Sequence, residues 1–369
     1  MHTIFHRYSF GAALFLAAGL WCACSKSNSG PQTPVKVDAT VQPLQFMLDN
    51  NFSFSKFDTL MKKSGYMDSL GNGRMHTLFV PDNNAFINAN ISVDSLLALP
   101  KDSLRQFVGN HVFQGMVTTD LIPQTITNPM VASNGQTLYF SKPIITSSRA
   151  STPDQVKALQ QTLHVNGIKA TLVDQRAVDG ALHVMQFPLR TTVASVGGYL
   201  LSHPEYSYFV AALRKFNMFD QLNTAGPYTV FAPNNDAMTN NGITIDMINS
   251  DTFDVQHYQP YLFSANWLPT RTYMTDFSDA PLPNDNSGNP TGYTRYGTIQ
   301  YSFADYNPVL RIAVTNYTSW LGPGYTIYNN VGPNAQAYAK DQQPALNGVI
   351  MPTNNILVYP DSVYLYTPH

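Results

Sequence analysis

The sequence predicts an α+β protein built from two tandem copies of one domain, and three observations predict it. A short stretch occurs twice, as Thr77-Leu-Phe-Val-Pro-Asp-Asn-Asn-Ala-Phe86 and as Thr229-Val-Phe-Ala-Pro-Asn-Asn-Asp-Ala-Met238. The similarity runs upstream without a gap: Ser55 to Phe86 lies on Ser207 to Met238 at a constant offset of 152, with 10 of 32 positions identical. Among them are Phe57/Phe209, Lys63/Lys215, Asp68/Asp220 and Leu70/Leu222. A register kept through helix, loop, strand and turn marks an internal duplication whose period is too long for a solenoid. Finally, 369 residues are too many for one ordinary domain and suit two of about 140–180 residues plus a leader.

The chain opens on a secretory leader. His6 and Arg7 make a weakly basic start, and Phe10 to Trp21 is an apolar run. It is shorter than the roughly 20 residues a spanning helix needs. Ala23-Cys24 and a polar Ser-Lys-Ser-Asn-Ser-Gly tail follow, in the manner of a bacterial lipobox with Cys24 as the lipid attachment site. Cys22 is the lesser alternative, and a plain signal with an incidental cysteine is the bland one. Residues 1–24 are thus read as a lipoprotein signal peptide and 25–42 as a flexible tether of Ser, Asn, Pro, Thr and Val. Both cysteines lie in the leader, so the mature domains hold no disulfide and no thiolate site.

The first copy, 43–190, starts with a helix whose apolar stripe is Phe54, Phe57, Leu60 and Met61. Gly71-Asn-Gly73 turns the chain into a buried strand at 77–80. Pro81 ends that strand, because proline cannot donate to a ladder, and Asp82 to Asn84 supply the N-cap of the next helix. Val93 to Leu99 is a short helix stopped by Pro100. Asp102 caps another, with the stripe Leu104, Phe107, Val108 and His111. Leu138–Phe140 and Ile168–Val173 are strands separated by a polar excursion at 146–161, and Leu182–Phe187 closes the domain.

The second copy, 192–369, repeats the plan. Its helices carry Tyr199–Leu201 and the stripe Tyr208, Phe209, Leu213 and Phe216. Its closing motif is displaced by 168 rather than 152, which places an insertion at about 277–345 with strands at 296–303 and 309–317. Inserted loops on a rigid scaffold are common functional sites; drift between copies is the equal alternative.

These motifs resemble the fasciclin (FAS1) domain family. The repeated stretch is similar to the family's first signature. Leu104-Arg-Gln-Phe-Val-Gly-Asn-His-Val-Phe-Gln-Gly115 is similar to the second, and Asp179-Gly-Ala-Leu-His-Val-Met185 and Asn347-Gly-Val-Ile350 to the closing one. The second copy departs from the pattern: its expected histidine near 257–262 is displaced (His257) or replaced (Tyr261), and its closing strand runs on as Met351-Pro352. The resemblance implies, for each copy, a β-wedge of two packed layers of short strands with helices along one side. It also implies a small contact between copies around 188–198.

Composition narrows the function. With a net charge of −2 and only 12% charged residues, the chain offers no electrostatic footprint for nucleic acid or an anionic membrane surface. It contains no Gly-rich phosphate loop, no G-x-S-x-G elbow and no H-E-x-x-H zinc site. Glu205 is its only glutamate. No cofactor and no enzymatic activity are expected. His111 and His183 join the second and closing signatures either as a site or as core histidines bonded to backbone. Asp276, Asp279, Asp285, Asn286 and Asn289 are a calcium-type oxygen cluster or a solvated loop, without the spacing of a twelve-residue calcium loop.

Aromatic residues crowd the second copy. Trp267, Trp320, Tyr296 and Tyr325 are the candidate ligand-binding residues, because flat rings on an uncharged surface stack on sugars or anchor a protein partner. The competing reading makes them strand and turn residues. The resemblance implies a non-enzymatic adhesion or binding protein, here held to the cell envelope through its N-terminal lipid alone. Its partners would be extracellular or envelope proteins or glycans. The alternative is an accessory glycan-binding lipoprotein of an outer-membrane uptake system. Sequence leaves open whether the periplasmic or the surface face carries it.

Overall fold

The computed structural model describes residues 41–147, 150–258, 261–279, 292–296, 299–306, 309–316, 325–333 and 339–364. The leader with Cys24, the tether up to residue 40, and Trp320 lie outside the described residues.

The first copy runs α1 (Leu44–Asp49), α2 (Ser55–Ser64), β1 (His76–Pro81), α3 (Asn83–Asn88), α4 (Val93–Leu97), α5 (Lys101–Gly109), β2 (Val112–Gln114), β3 (Asn128–Val131), β4 (Thr137–Ser141), α6 (Pro153–Gln160), β5 (His164–Val165), β6 (Ile168–Ala177) and β7 (Gly180–Met185). Its strands form one sheet in the order β2-β1-β7-β6-β5-β4-β3. At its centre β1 and β7 run parallel, from His76 opposite Gly180 to Pro81 opposite Met185. Both strands are buried at every position, so alternate residues serve two cores. Leu78, Val80 and Leu182 pack with Phe57, Leu60 and Leu104 of the helices. Phe79 and Met185 pack instead with Leu138, Phe140 and Val165. Those partners lie several strands away in the sheet, so the sheet folds over on itself. The bend is in β6, where register breaks follow Ala170 and Leu172; irregularities of this kind kink and twist a strand. The two layers of the wedge are therefore halves of one sheet.

The second copy runs α7 (Val196–Ser202), α8 (Ser207–Lys215), β8 (Tyr228–Pro233), α9 (Asn235–Asn240), α10 (Ile245–Asn249), α11 (Tyr261–Ser264), β9 (Trp267–Leu268), α12 (Met274–Asp279), β10 (Gly292–Tyr296), β11 (Ile299–Tyr306), β12 (Val309–Asn316), β13 (Tyr325–Pro333), β14 (Gln343–Ala345) and β15 (Gly348–Thr353). Its sheet, β14-β15-β8-β9, has the same kernel: β8 and β15 run parallel, from Tyr228 opposite Gly348 to Pro233 opposite Thr353. The insertion forms a separate antiparallel sheet, β10-β11-β12-β13. Two of its four strands match those expected at 296–303 and 309–317; β10 and β13 are additions.

Individual bonds repeat along with the strands. Asn83 accepts the Lys56 N–H and donates to Phe52 O and the Ser55 hydroxyl; Asn235 does the same with Tyr208, Pro204 and Ser207. The Thr77 hydroxyl bridges Gly115 O and the Val117 N–H, as the Thr229 hydroxyl bridges Thr270 O and the Thr272 N–H. Asp82 and Asn234 cap α3 and α9 as expected. The duplicated residues are thus those that fasten the opening helix and the first loop onto the central strand.

Three local expectations need correction. Pro100, not Asp102, takes the N-cap position of α5; Asp102 sits in the first turn, where a carboxylate favours the helix dipole without capping it. His111 lies past the end of that helix, not on its stripe. The polar excursion contains α6, started by a capping box between Thr152 and Gln155.

The contact between copies is larger than the linker. Val193 forms a parallel bridge with Ala345, taking Leu346 N–H and giving its own N–H to Pro344 O. Beyond it, the Asn166-Gly167 turn and Tyr139 of the first copy meet residues 271–276 and 342 of the second. The fully buried Tyr273 donates its hydroxyl to Asn166 Oδ1 at 3.0 Å, and Thr275 donates to Gly167 O. Arg271, also buried, spends its guanidinium on the carbonyls of Ala345, Leu346 and Gly348 and lies 4.4 Å over the Tyr139 ring. Desolvating a guanidinium is costly unless its donors are met; here three carbonyls and a ring face meet them.

Candidate binding surfaces

The two histidines of the family signatures are structural. His111 is fully buried: its Nε2 accepts the Leu189 N–H at 2.9 Å, and its Nδ1 faces Phe107 O at 3.1 Å. These partners fix a neutral tautomer with the proton on Nδ1. His183 accepts the Asp174 N–H on Nδ1, directs Nε2 at Val117 O at 2.8 Å, and stacks on Phe79 at 4.7 Å. Neither ring has a nitrogen left for a substrate or metal. Asp174 takes the Thr119 N–H and hydroxyl rather than a ring proton, so no relay of hydroxyl, imidazole and carboxylate assembles. Among the described residues no group of three or more metal-ligating side chains is found.

The second copy's counterpart of His111 is neither His257 nor Tyr261. The Phe79 N–H bonds to His111 O, and the Phe231 N–H, its equivalent, bonds to Asn266 O. Asn266 therefore holds the place, and its Nδ2 returns to Phe231 O at 2.9 Å. His257 instead lies in a turn capped by Asp254, whose Oδ1 accepts the His257 N–H and faces its Nδ1 at 2.9 Å.

Burial pushes the His111 imidazole down to about 4, from an ordinary 6.5. Below pH 6.5 the unfolded chain takes up a proton that the folded state refuses. Stability is thus full above 6.5, is lost as pH falls toward 4, and levels off beyond. At pH 5 the loss from this group is roughly 2 kcal/mol. Burial lowers His183 as well, adding a loss of the same sign. In His111→Asn, which installs the second copy's residue, the denaturation free energy should fall about 2 kcal/mol less between pH 7 and 5 than in the parent. An unchanged slope would place the titration elsewhere.

The aromatic candidates separate. Trp267 stands in β9, opposite Val230, half-buried against the second core. It is a packing residue of the repeated domain. Tyr296 and Tyr325 lie in the insertion sheet: Tyr296 pairs with Ile299, Ile299 with Asn316, and Asn316 with Tyr325. The two tyrosines thus share one cross-strand row, about 14 Å apart at three strand spacings. Asp276 is not in a solvated loop: it is buried in α12 and accepts the Tyr273 N–H at the start of that helix. Asp285, Asn286 and Asn289 lie outside the described residues.

One surface escaped the sequence reading. Phe52 is 87% exposed and Ile87 63% exposed. Asn83 ties the turn of Phe52 to the first residue of α3, and Ile87 lies one helical turn on, so both occupy one edge of the first copy. Their counterparts in the second copy are Pro204 and Thr239. An exposed Phe carries no distinguishing sequence signal, because it stands in a Phe-rich opening beside the buried Phe54 and Phe57.

Parallel first and last strands form the kernel of both copies, and the first copy holds its two signature histidines in the core. The fasciclin domain profile matches residues 52–190 and 204–256, slightly more than half of the chain. The chain belongs to the fasciclin domain family. Among solved structures, a FAS1 domain pair from the insect cell adhesion molecule fasciclin I aligns over 85% of this chain and 99% of its own, at 16% identity and a TM-score of 0.35. The profile match in the second copy ends at residue 256, before the insertion sheet begins.

Proposed function

We propose that this protein is a non-enzymatic, lipid-anchored adhesion protein of a Gram-negative cell envelope, contacting envelope or extracellular proteins and glycans. One observation carries the reading: two fasciclin domains are fixed together at a buried seam, and one bears a sheet outside the family pattern. Fixed spacing lowers the ordering cost of a second contact, so weak contacts on one chain add up. The anchor is the lipid on Cys24; among the described residues no helix is long and apolar enough to cross a membrane. The purified full chain should adhere to glycan or protein-coated surfaces better than an unrelated lipoprotein does. Equal retention of the two would end this reading.

A second reading, glycan capture for an outer-membrane uptake system, is favoured by the row that joins Tyr296 and Tyr325. Stacking of a ring on a sugar contributes on the order of 1 kcal/mol. The Tyr296→Ala/Tyr325→Ala double variant should therefore lose about tenfold or more in affinity for any glycan that an array identifies. Trp267→Ala should lower stability instead, because its ring covers the second core. A glycan hit untouched by the tyrosine pair would remove the insertion sheet from the site.

A further inference from the structure

The first copy carries a cleft of about 440 Å³ between α2, α4 and α5, lined by Lys63, Leu97, Leu99, Lys101 and Leu104. That volume is within the range of small-molecule sites, about 300–1,000 Å³. The lining divides by chemistry. Leu104 is buried at the floor, Leu99 is 40% exposed, and two lysines stand at the cleft. The neighbouring Lys62 is held by Asp49 and Asp58, each at 2.7 Å. Among the described residues neither Lys63 nor Lys101 makes an ion pair. Asp102 follows Lys101 in α5 but is not part of the lining.

The second copy keeps one of the two lysines, Lys215 at the offset of 152 from Lys63, but not the leucine wall. Its α10 lies on α4 at the offset of 152, which puts Asn249 in the place of Leu97. Where the first copy has leucine at the wall of the cleft, the second has asparagine.

We propose that this cleft binds a single-tailed anionic amphiphile: an alkyl chain against Leu97, Leu99 and Leu104, with a carboxylate between Lys63 and Lys101. Apolar wall and unpaired cations at one opening are complementary to that class and to neither a sugar nor a cation. The site is independent of the adhesion reading. The test is titration of the purified full chain with sodium decanoate below its micellar concentration, followed by calorimetry and by thermal shift. Saturable binding that raises Tm is expected, with affinity at least tenfold weaker in Lys63→Gln/Lys101→Gln. Both lysines are exposed, so that variant should melt with the parent when decanoate is absent. Absence of saturable binding, binding that survives the double substitution, or equal affinity for 1-decanol would each overturn the proposal.

Discussion

Gly180→Ala is expected to cost about 4 kcal/mol or more and to leave the first copy unfolded. Gly180 opens β7 at φ +154, and a Cβ built there would stand 1.7 Å from His76 O. The contact is with backbone, so no rotamer change relieves it. His76 and Gly180 are also the first pair of the parallel ladder, and the His76 N–H bonds to Asp179 O at 2.9 Å just before it. Moving either strand to admit a methyl would pull both cores apart, because Leu78 and Phe79 feed opposite faces. Urea denaturation should show the m-value falling toward that of one domain, and hydrogen exchange should show lost protection over β1 and β7. Gly348→Ala meets Tyr228 O at 2.3 Å in the same place and should damage the second copy in the same way. An alanine variant within about 1 kcal/mol of the parent would mean that the two strands do not begin their pairing at this point.

What the sequence disclosed followed from how local each feature is. The central strand, its proline stop and its Asp or Asn cap lie within ten consecutive residues, and both copies keep them. The counterpart of His111 was misplaced because the offset between copies grows by three: Phe79 and Phe231 differ by 152, but their partners His111 and Asn266 differ by 155. The missing turn chemistry was available. Asn166-Gly167 is a two-residue hairpin loop with φ of 48° and 76°, the dipeptide that a type I′ turn favours. It would have placed β5 and β6 together. In the insertion, β11 largely alternates apolar and polar residues and β12 is rich in Val, Ile and Thr, so both were legible. β13 contains Asn329, Asn330, Gly332 and Pro333, all poor strand formers, and was not. The seam had no local signal at all, since Tyr273 and Asn166 are 107 residues apart.

That seam gives the second large effect. Tyr273→Ala is expected to destabilise the chain by about 3–5 kcal/mol and to split one thermal transition into two. The side chain is 0% exposed and belongs to the second core, yet its hydroxyl ends on the first copy's Asn166. Truncation thus empties space in one domain and cuts its bond to the other. Tyr273→Phe separates these roles. It keeps the packing and removes only the hydroxyl, while Asn166 Oδ1 still accepts the Tyr139 N–H at 2.8 Å. The expected cost is about 1 kcal/mol with a single transition retained. Tyr139→Ala approaches the same joint from the first copy by removing the ring under Arg271, and it should also uncouple the melts. Among the described residues no carboxylate pairs with a cation across the joint, so raising salt should leave the coupling intact, as screening weakens charge pairs and not neutral hydrogen bonds. Two independent transitions in the parent itself would show that the domains are merely adjacent, and the fixed spacing on which additive adhesion depends would be lost with them.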